Sequence, residues 1–124
     1  MTKGSILIID DDREMRVSLT HLLETADFEV SSAKDGQEAL STLTERQRDA
    51  VLCDVRMPGM SGLEFLSKAR DVSAAPIILI SAHGDIPMAV DAIQGGAYSL
   101  LEQHFDHRRL LTILSNAVRM RQLE

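Results

Sequence analysis

Three short runs, Ile6-Leu7-Ile8-Ile9, Ala50-Val51-Leu52-Cys53 and Ile77-Ile78-Leu79-Ile80 behind Pro76, are unbroken by any polar residue. Four apolar residues are too few for a buried helix, and a strand with one wet face would alternate. Such runs read as strands covered on both faces, which is the signature of a parallel sheet with helices above and below it. Between the runs the apolar period lengthens to that of helices. Arg13–Thr25 carries Met15, Leu19, Leu22 and Leu23 at helical spacing. Asp35–Leu43, entered through Asp35-Gly36, turns Ala39, Leu40 and Leu43 inward.

The remaining elements follow the same alternation. Glu29–Ser32, with Val30 pointing inward, is a weaker second strand. The segment Met57-Pro58-Gly59-Met60-Ser61-Gly62 is dense in turn residues, and Leu63–Arg70 predicts a third helix burying Leu63, Leu66 and Ala69. Pro87 suits the first turn of a fourth helix that reaches Ile93 and stops at Gly95-Gly96. Ser99–Leu101 is a short fifth strand, and Asp106 caps a last helix whose buried stripe is Leu110, Leu114, Ala117 and Val118. Five β–α units predict a doubly wound α/β fold of the flavodoxin-like type: a five-stranded parallel sheet in the order 2-1-3-4-5, with five helices and its switch point between strands one and three.

A chain of 124 residues suffices for one such domain, spanning residues 1–124, and not for two. Its net charge of −6 argues against direct nucleic-acid binding, which needs clustered Lys and Arg. The single Cys53 lies in a strand and can form no internal disulfide, which fits a reducing cytoplasm; no apolar run is long enough to span a bilayer. The last residues, 118–124, end a helix without a cap, as expected where a longer regulator continues.

The chemistry sits at the strand ends. Asp10, Asp11 and Asp12 follow the first strand directly, and Asp54 follows the third, so four carboxylates flank the predicted switch point. Gathering like charges is costly, and an all-oxygen set without His or Cys specifies a hard cation such as Mg²⁺. Asp54 is the candidate nucleophile for phosphoryl transfer. Asp11 and Asp54 would hold Mg²⁺, with Asp10 or Asp12 on a metal-bound water and a backbone carbonyl just past Asp54 as a further ligand. The competing role for the triplet, and for Asp12 above all, is to cap the first helix. Ser81, ending the fourth strand, can donate to a phosphoryl oxygen or cap the helix that follows. Tyr98, the only tyrosine, reads as partly buried core. His83 reads as a surface loop residue, Met57, Met60 and Met88 as packing and interface residues, and Arg108 and Arg109 as a solvated face.

Taken together, Ile6–Asp12 with Arg16, the run from Asp54 through Arg56 to Gly62, Ile80-Ser81 and Gly96-Ala97-Tyr98 resemble the receiver domain of two-component response regulators along nearly the whole chain. The resemblance implies that a sensor histidine kinase phosphorylates Asp54. It further implies that Asp11 binds Mg²⁺ directly, Asp10 through water and Arg56 through its backbone carbonyl, and that Ser81 and Tyr98 form a paired switch. His83–Val90 with Ala92-Ile93 is similar to receivers of C4-dicarboxylate-transport regulators, which activate sigma-54 promoters through an AAA+ domain, and to receivers joined to LuxR-type DNA-binding domains. An attached or partner output domain regulating transcription is therefore expected. So is a homodimer through the fourth helix, fifth strand and fifth helix, helped by apolar residues near Met88 and Val90.

The chain departs from the family at Gln103 and His104, where a Lys-Pro pair belongs. Gln103 can still donate a hydrogen bond, without the charge that roughly doubles its strength. A cis peptide before His104 would cost about 2.5–4 kcal/mol, so a trans, reshaped loop is expected. Two alternatives stand beside the phosphorylated switch. One is an atypical receiver with weakened switching that acts as a protein-interaction module. The other is a Mg²⁺-dependent Asp-nucleophile phosphatase, for which the spacing of Asp10 and Asp12 is the weak support.

Overall fold

The structure, a computed structural model, describes residues 2–82 and 85–123; His83 lies outside them. Ten elements alternate strictly: β1 (Ser5–Ile9), α1 (Arg13–Thr25), β2 (Glu29–Ala33), α2 (Gly36–Glu45), β3 (Ala50–Asp54), α3 (Gly62–Ala69), β4 (Ile77–Ser81), α4 (Ile86–Gln94), β5 (Ser99–Glu102) and α5 (His107–Gln122). All strand pairs are parallel, in the order β2-β1-β3-β4-β5. The expected doubly wound sheet is therefore the observed one.

Covering both faces of the sheet makes two cores. Ile6, Ile8, Leu52, Ile78 and Ile80 pack with Leu19 and Leu23 of α1 and with Leu110, Leu114, Ala117 and Val118 of α5. Leu7, Ile9, Val51, Cys53 and Leu79 face the other way, onto Ala39 and Leu43 of α2, Phe65 and Leu66 of α3, and Ala92 of α4. Each fully buried Leu or Ile contributes about 1.5–3 kcal/mol relative to exposure, so the apolar runs stabilise the sheet from both sides.

Side-chain caps set the helix starts. Asp12, Asp35, Ser61, Asp85 and Asp106 each accept a backbone N–H from the first turn of the helix they precede. The end of α1 is a Schellman turn, with Phe28 N–H donating to the Leu23 carbonyl and Asp27 N–H to that of Glu24, and it holds Asp27 at φ 71°.

Three packing expectations are corrected. Met15 is exposed, because the first turn of α1, with Arg13 and Glu14 also exposed, overhangs the strand ends where there is no sheet to cover it. On α3 one member of the expected stripe changes. Phe65, Leu66 and Ala69 are buried, while Leu63 is only partly covered. Met88 is 9% exposed and belongs to the core, leaving Val90 and Ile93 as the outward apolar residues of α4.

Candidate functional site

The register puts Ile9 beside Cys53, so the residues immediately beyond them, Asp10 and Asp54, emerge side by side at the β1–β3 switch point. Carboxylate oxygens of Asp10, Asp11 and Asp54 come within 4.8 Å of one another. Asp10 is the most deeply set, buried and oriented by the Asp12 N–H, which donates to its Oδ1 at 2.9 Å. Its carbonyl accepts from Arg16 Nη1 at 2.7 Å, which fixes the turn into α1. Burial is the main cause that pushes the Asp10 carboxyl above its ordinary range, with the neighbouring charges of Asp11 and Asp12 adding to it.

Asp54 is half-buried. Burial, followed by repulsion from Asp10, pushes its carboxyl from 3.8 up to about 6. The Arg56 N–H donates to Asp54 Oδ1 at 3.3 Å and partly offsets that shift. Both carboxyls are raised chiefly by burial, with like charge beside them adding to it, and an all-oxygen donor set of this span suits Mg²⁺ bound partly through water. Asp12 is not in the cluster. Its Oδ1 accepts from Glu14 N–H at 2.9 Å as the cap of α1, which resolves its two candidate roles in favour of the cap.

The segment after Asp54 is held tightly. Val55 N–H donates to the Ile80 carbonyl, extending the β3–β4 ladder, and Gly62 N–H returns to the Val55 carbonyl at 2.7 Å. A Cβ on Gly62 would lie 2.7 Å from Val55 Cα and 2.8 Å from the Asp54 carbonyl oxygen, so only glycine permits this approach. Val55 and Met57 are buried and Arg56 between them points outward, as an extended segment requires. Its guanidinium lies 3.8 Å from Asp85, the cap of α4. Sequence reasoning singled out neither Gly62 nor Asp85 as a determinant of the site. The signal for Gly62 was its place at the end of the turn-rich segment.

Ser81 is buried at the end of β4, one strand from Asp54, and Asp85 rather than Ser81 caps α4. Its carbonyl accepts from Gln103 N–H at 2.8 Å, which brings the β5–α5 turn to the same edge. Tyr98 is not brought there. Its N–H donates to the Ile77 carbonyl, at the far end of β4 and four residues before Ser81, about 13 Å away along the strand. The residue is 37% exposed and is not core. On the Ser81 face of β5 stand Leu100 and Glu102, with Leu100 opposite Leu79, so the residue that could move against Ser81 is aliphatic. The Ser81–Tyr98 pairing is corrected accordingly. His104 adopts φ 66°, and no peptide among the described residues is cis, in line with the reshaped loop expected there.

These positions match a known pattern. The family model described as the response regulator receiver domain matches residues 6–115. This chain belongs to that family. The receiver is 42% identical over 119 residues to the transcriptional regulatory protein FixJ of Bradyrhizobium diazoefficiens, covering 95% of this chain and 58% of that protein. It is also 42% identical over 120 residues to the C4-dicarboxylate transport transcriptional regulatory protein DctD of Rhizobium meliloti, covering 96% and 26% respectively. A response regulator receiver domain protein from Clostridium thermocellum superposes with a TM-score of 0.91 at 29% identity, covering 97% of this chain and 98% of that one. The receiver thus spans little more than half of the FixJ protein and about a quarter of DctD. As a member of this family it is a signalling domain, the phosphoacceptor module of two-component systems. Among the described residues no helix is long and apolar enough to cross a membrane.

Proposed function

We propose that Asp54 is the phosphoacceptor and that Asp10, Asp11, Asp54 and the Arg56 carbonyl hold Mg²⁺, Asp10 through water. The supporting observation is the meeting of three carboxylates at the β1–β3 edge, two of them with raised pKa. At neutral pH an Asp54 carboxyl near 6 is mostly ionised, as a nucleophile must be. One Asp54 oxygen attacks phosphorus, the bond from phosphorus to the donor's nitrogen or oxygen breaks, and the leaving group departs with that electron pair. The product is an acyl phosphate. Water attacking the same phosphorus restores the carboxylate and releases inorganic phosphate. When bound, the metal neutralises charge on the transferring group. Ser81 donates its hydroxyl to a phosphoryl oxygen, and Gln103 offers an uncharged amide from the adjoining turn.

In this reading the donor is a sensor histidine kinase, and the chain is the receiver part of a longer cytoplasmic regulator. Its output domain, of the AAA+ sigma-54-activating or LuxR-type class, controls transcription. Val90, Ile93 and Tyr98 give the α4–β5–α5 face an apolar surface for a homodimer. A second reading keeps the acceptor and weakens the switch. Leu100 stands where Ser81 needs a moving partner, and Gln103 brings no charge, so phosphorylation would bias the α4–β5–α5 face only slightly. The phosphatase reading loses support, because its acid/base candidate, Asp12, is engaged as a helix cap and Asp10 is buried.

Incubation with acetyl phosphate and Mg²⁺, followed by intact-mass measurement, tests the proposal. One phosphoryl group should add to the native chain and none to Asp54→Asn. Sustained turnover of small phosphoesters would instead support the enzyme reading.

A further inference from the structure

We propose that the Arg56 side chain is the cation that engages a phosphoryl group on Asp54, and that it reaches that group by leaving Asp85 at the start of α4. The inference rests on Asp54 being the phosphoacceptor. Arg56 N–H, 3.3 Å from Asp54 Oδ1, fixes the backbone of this residue against the acceptor carboxylate. The side chain departs from the exposed side of the segment, with 77% of its surface open, so the flexible stem can fold back over Asp54. At rest the guanidinium sits 3.8 Å from Asp85 Oδ2, while the other oxygen of Asp85 accepts Met88 N–H at 3.2 Å.

Arg16 and Gln103, the nearest alternatives named above, are poorer candidates for the same purpose. Arg16 is engaged on the Asp10 carbonyl at 2.7 Å, and Gln103 is neutral. Asp10 and Asp11 add negative charge beside the acceptor. An exposed ion pair at this separation favours the resting position by less than about fivefold. A phosphoryl group carries about −1.5 to −2 charge and offers a planar guanidinium two parallel bonds, each roughly twice as strong as a neutral one. The competition therefore goes to the phosphoryl group. Asp85 is then released from Arg56 and keeps only its cap on α4, so the occupancy of Asp54 is reported to that helix by an ion pair made or broken.

Titration of the 124-residue chain with beryllofluoride in Mg²⁺, followed calorimetrically, tests the inference. Arg56→Gln should weaken the analogue about tenfold. Arg56→Lys should restore most of the loss. Asp85→Asn, which still caps α4, should tighten the analogue by up to about fivefold by removing the competitor. Arg56→Gln/Asp85→Asn should behave as Arg56→Gln alone. If Arg56→Gln binds the analogue as tightly as the native chain, or if the two substitutions act independently, the inference is overturned while the acceptor reading survives. A native chain that binds no analogue overturns both.

Discussion

Replacing Asp54 by Asn should stabilise the metal-free domain, although it removes the residue on which the function depends. Burial and the Asp10 charge move the Asp54 carboxyl from 3.8 to about 6. The folded state therefore holds this proton to higher pH than the unfolded chain does. Stability falls as pH rises from about 4 to about 6, and the full penalty is present above that window. A shift of about two units corresponds to at most about 3 kcal/mol, and solvent screening of a half-buried carboxylate reduces it to about 1.5 kcal/mol. Asn keeps the shape and can still accept the Arg56 N–H, but it cannot carry the charge. Thermal denaturation in EDTA at pH 7.5 should show Asp54→Asn melting about 6 °C above the native chain, with the difference vanishing near pH 4. Mg²⁺ should reverse the order. At a hundred times its dissociation constant a ligand adds about 2.7 kcal/mol to the form that binds it, more than the roughly 1.5 kcal/mol that separates the two chains, and only the native chain keeps all three carboxylates. A variant less stable than the native chain in EDTA, or a gain unchanged between pH 4 and 7.5, would refute the electrostatic account of the cluster.

Calorimetric Mg²⁺ titration at pH 6, in two buffers of different ionisation enthalpy, should reveal release of about half a proton, and titration at pH 8 should reveal none, because only the ionised Asp54 binds. Gly62→Ala would push a methyl group against Val55 Cα and the Asp54 carbonyl; it should cost about 2–3 kcal/mol by denaturant unfolding and also weaken Mg²⁺ binding, since the displaced backbone carries Asp54. Asp27→Gly, at φ 71° in the Schellman turn, should gain about 1 kcal/mol by the same unfolding assay without changing Mg²⁺ affinity, because it sits at the opposite end of the sheet.

The parts of this molecule governed by short-range rules were readable in the sequence. Unbroken Ile/Leu runs can only be two-faced strands, and Leu110, Leu114, Ala117 and Val118 share one stripe because helical spacing leaves no other choice. The carboxylates at the strand ends followed from the same logic, since parallel order places Asp10 and Asp54 together once the switch point is fixed. What pattern alone could not supply was register and rotation. Tyr98 lies two residues before Leu100, and only the β4–β5 ladder shows that the interval carries it to the wrong end of the sheet for Ser81. On α3 Leu66 and Ala69 were legible but Phe65 was not, because Leu63 is equally apolar and only packing on the sheet chooses between the two. Asp12 was ambiguous for a related reason: a carboxylate next to a metal site and a helix start suits both, and its bond to Glu14 N–H decides the matter.

The proposed function rests on the side chain at 54 forming an acyl phosphate. After treatment with acetyl phosphate, borohydride reduction followed by peptide mapping should convert residue 54 to homoserine when Mg²⁺ is present and leave it unchanged when EDTA replaces the metal. Homoserine at another aspartate, or none at all in a chain that demonstrably binds Mg²⁺, would contradict it.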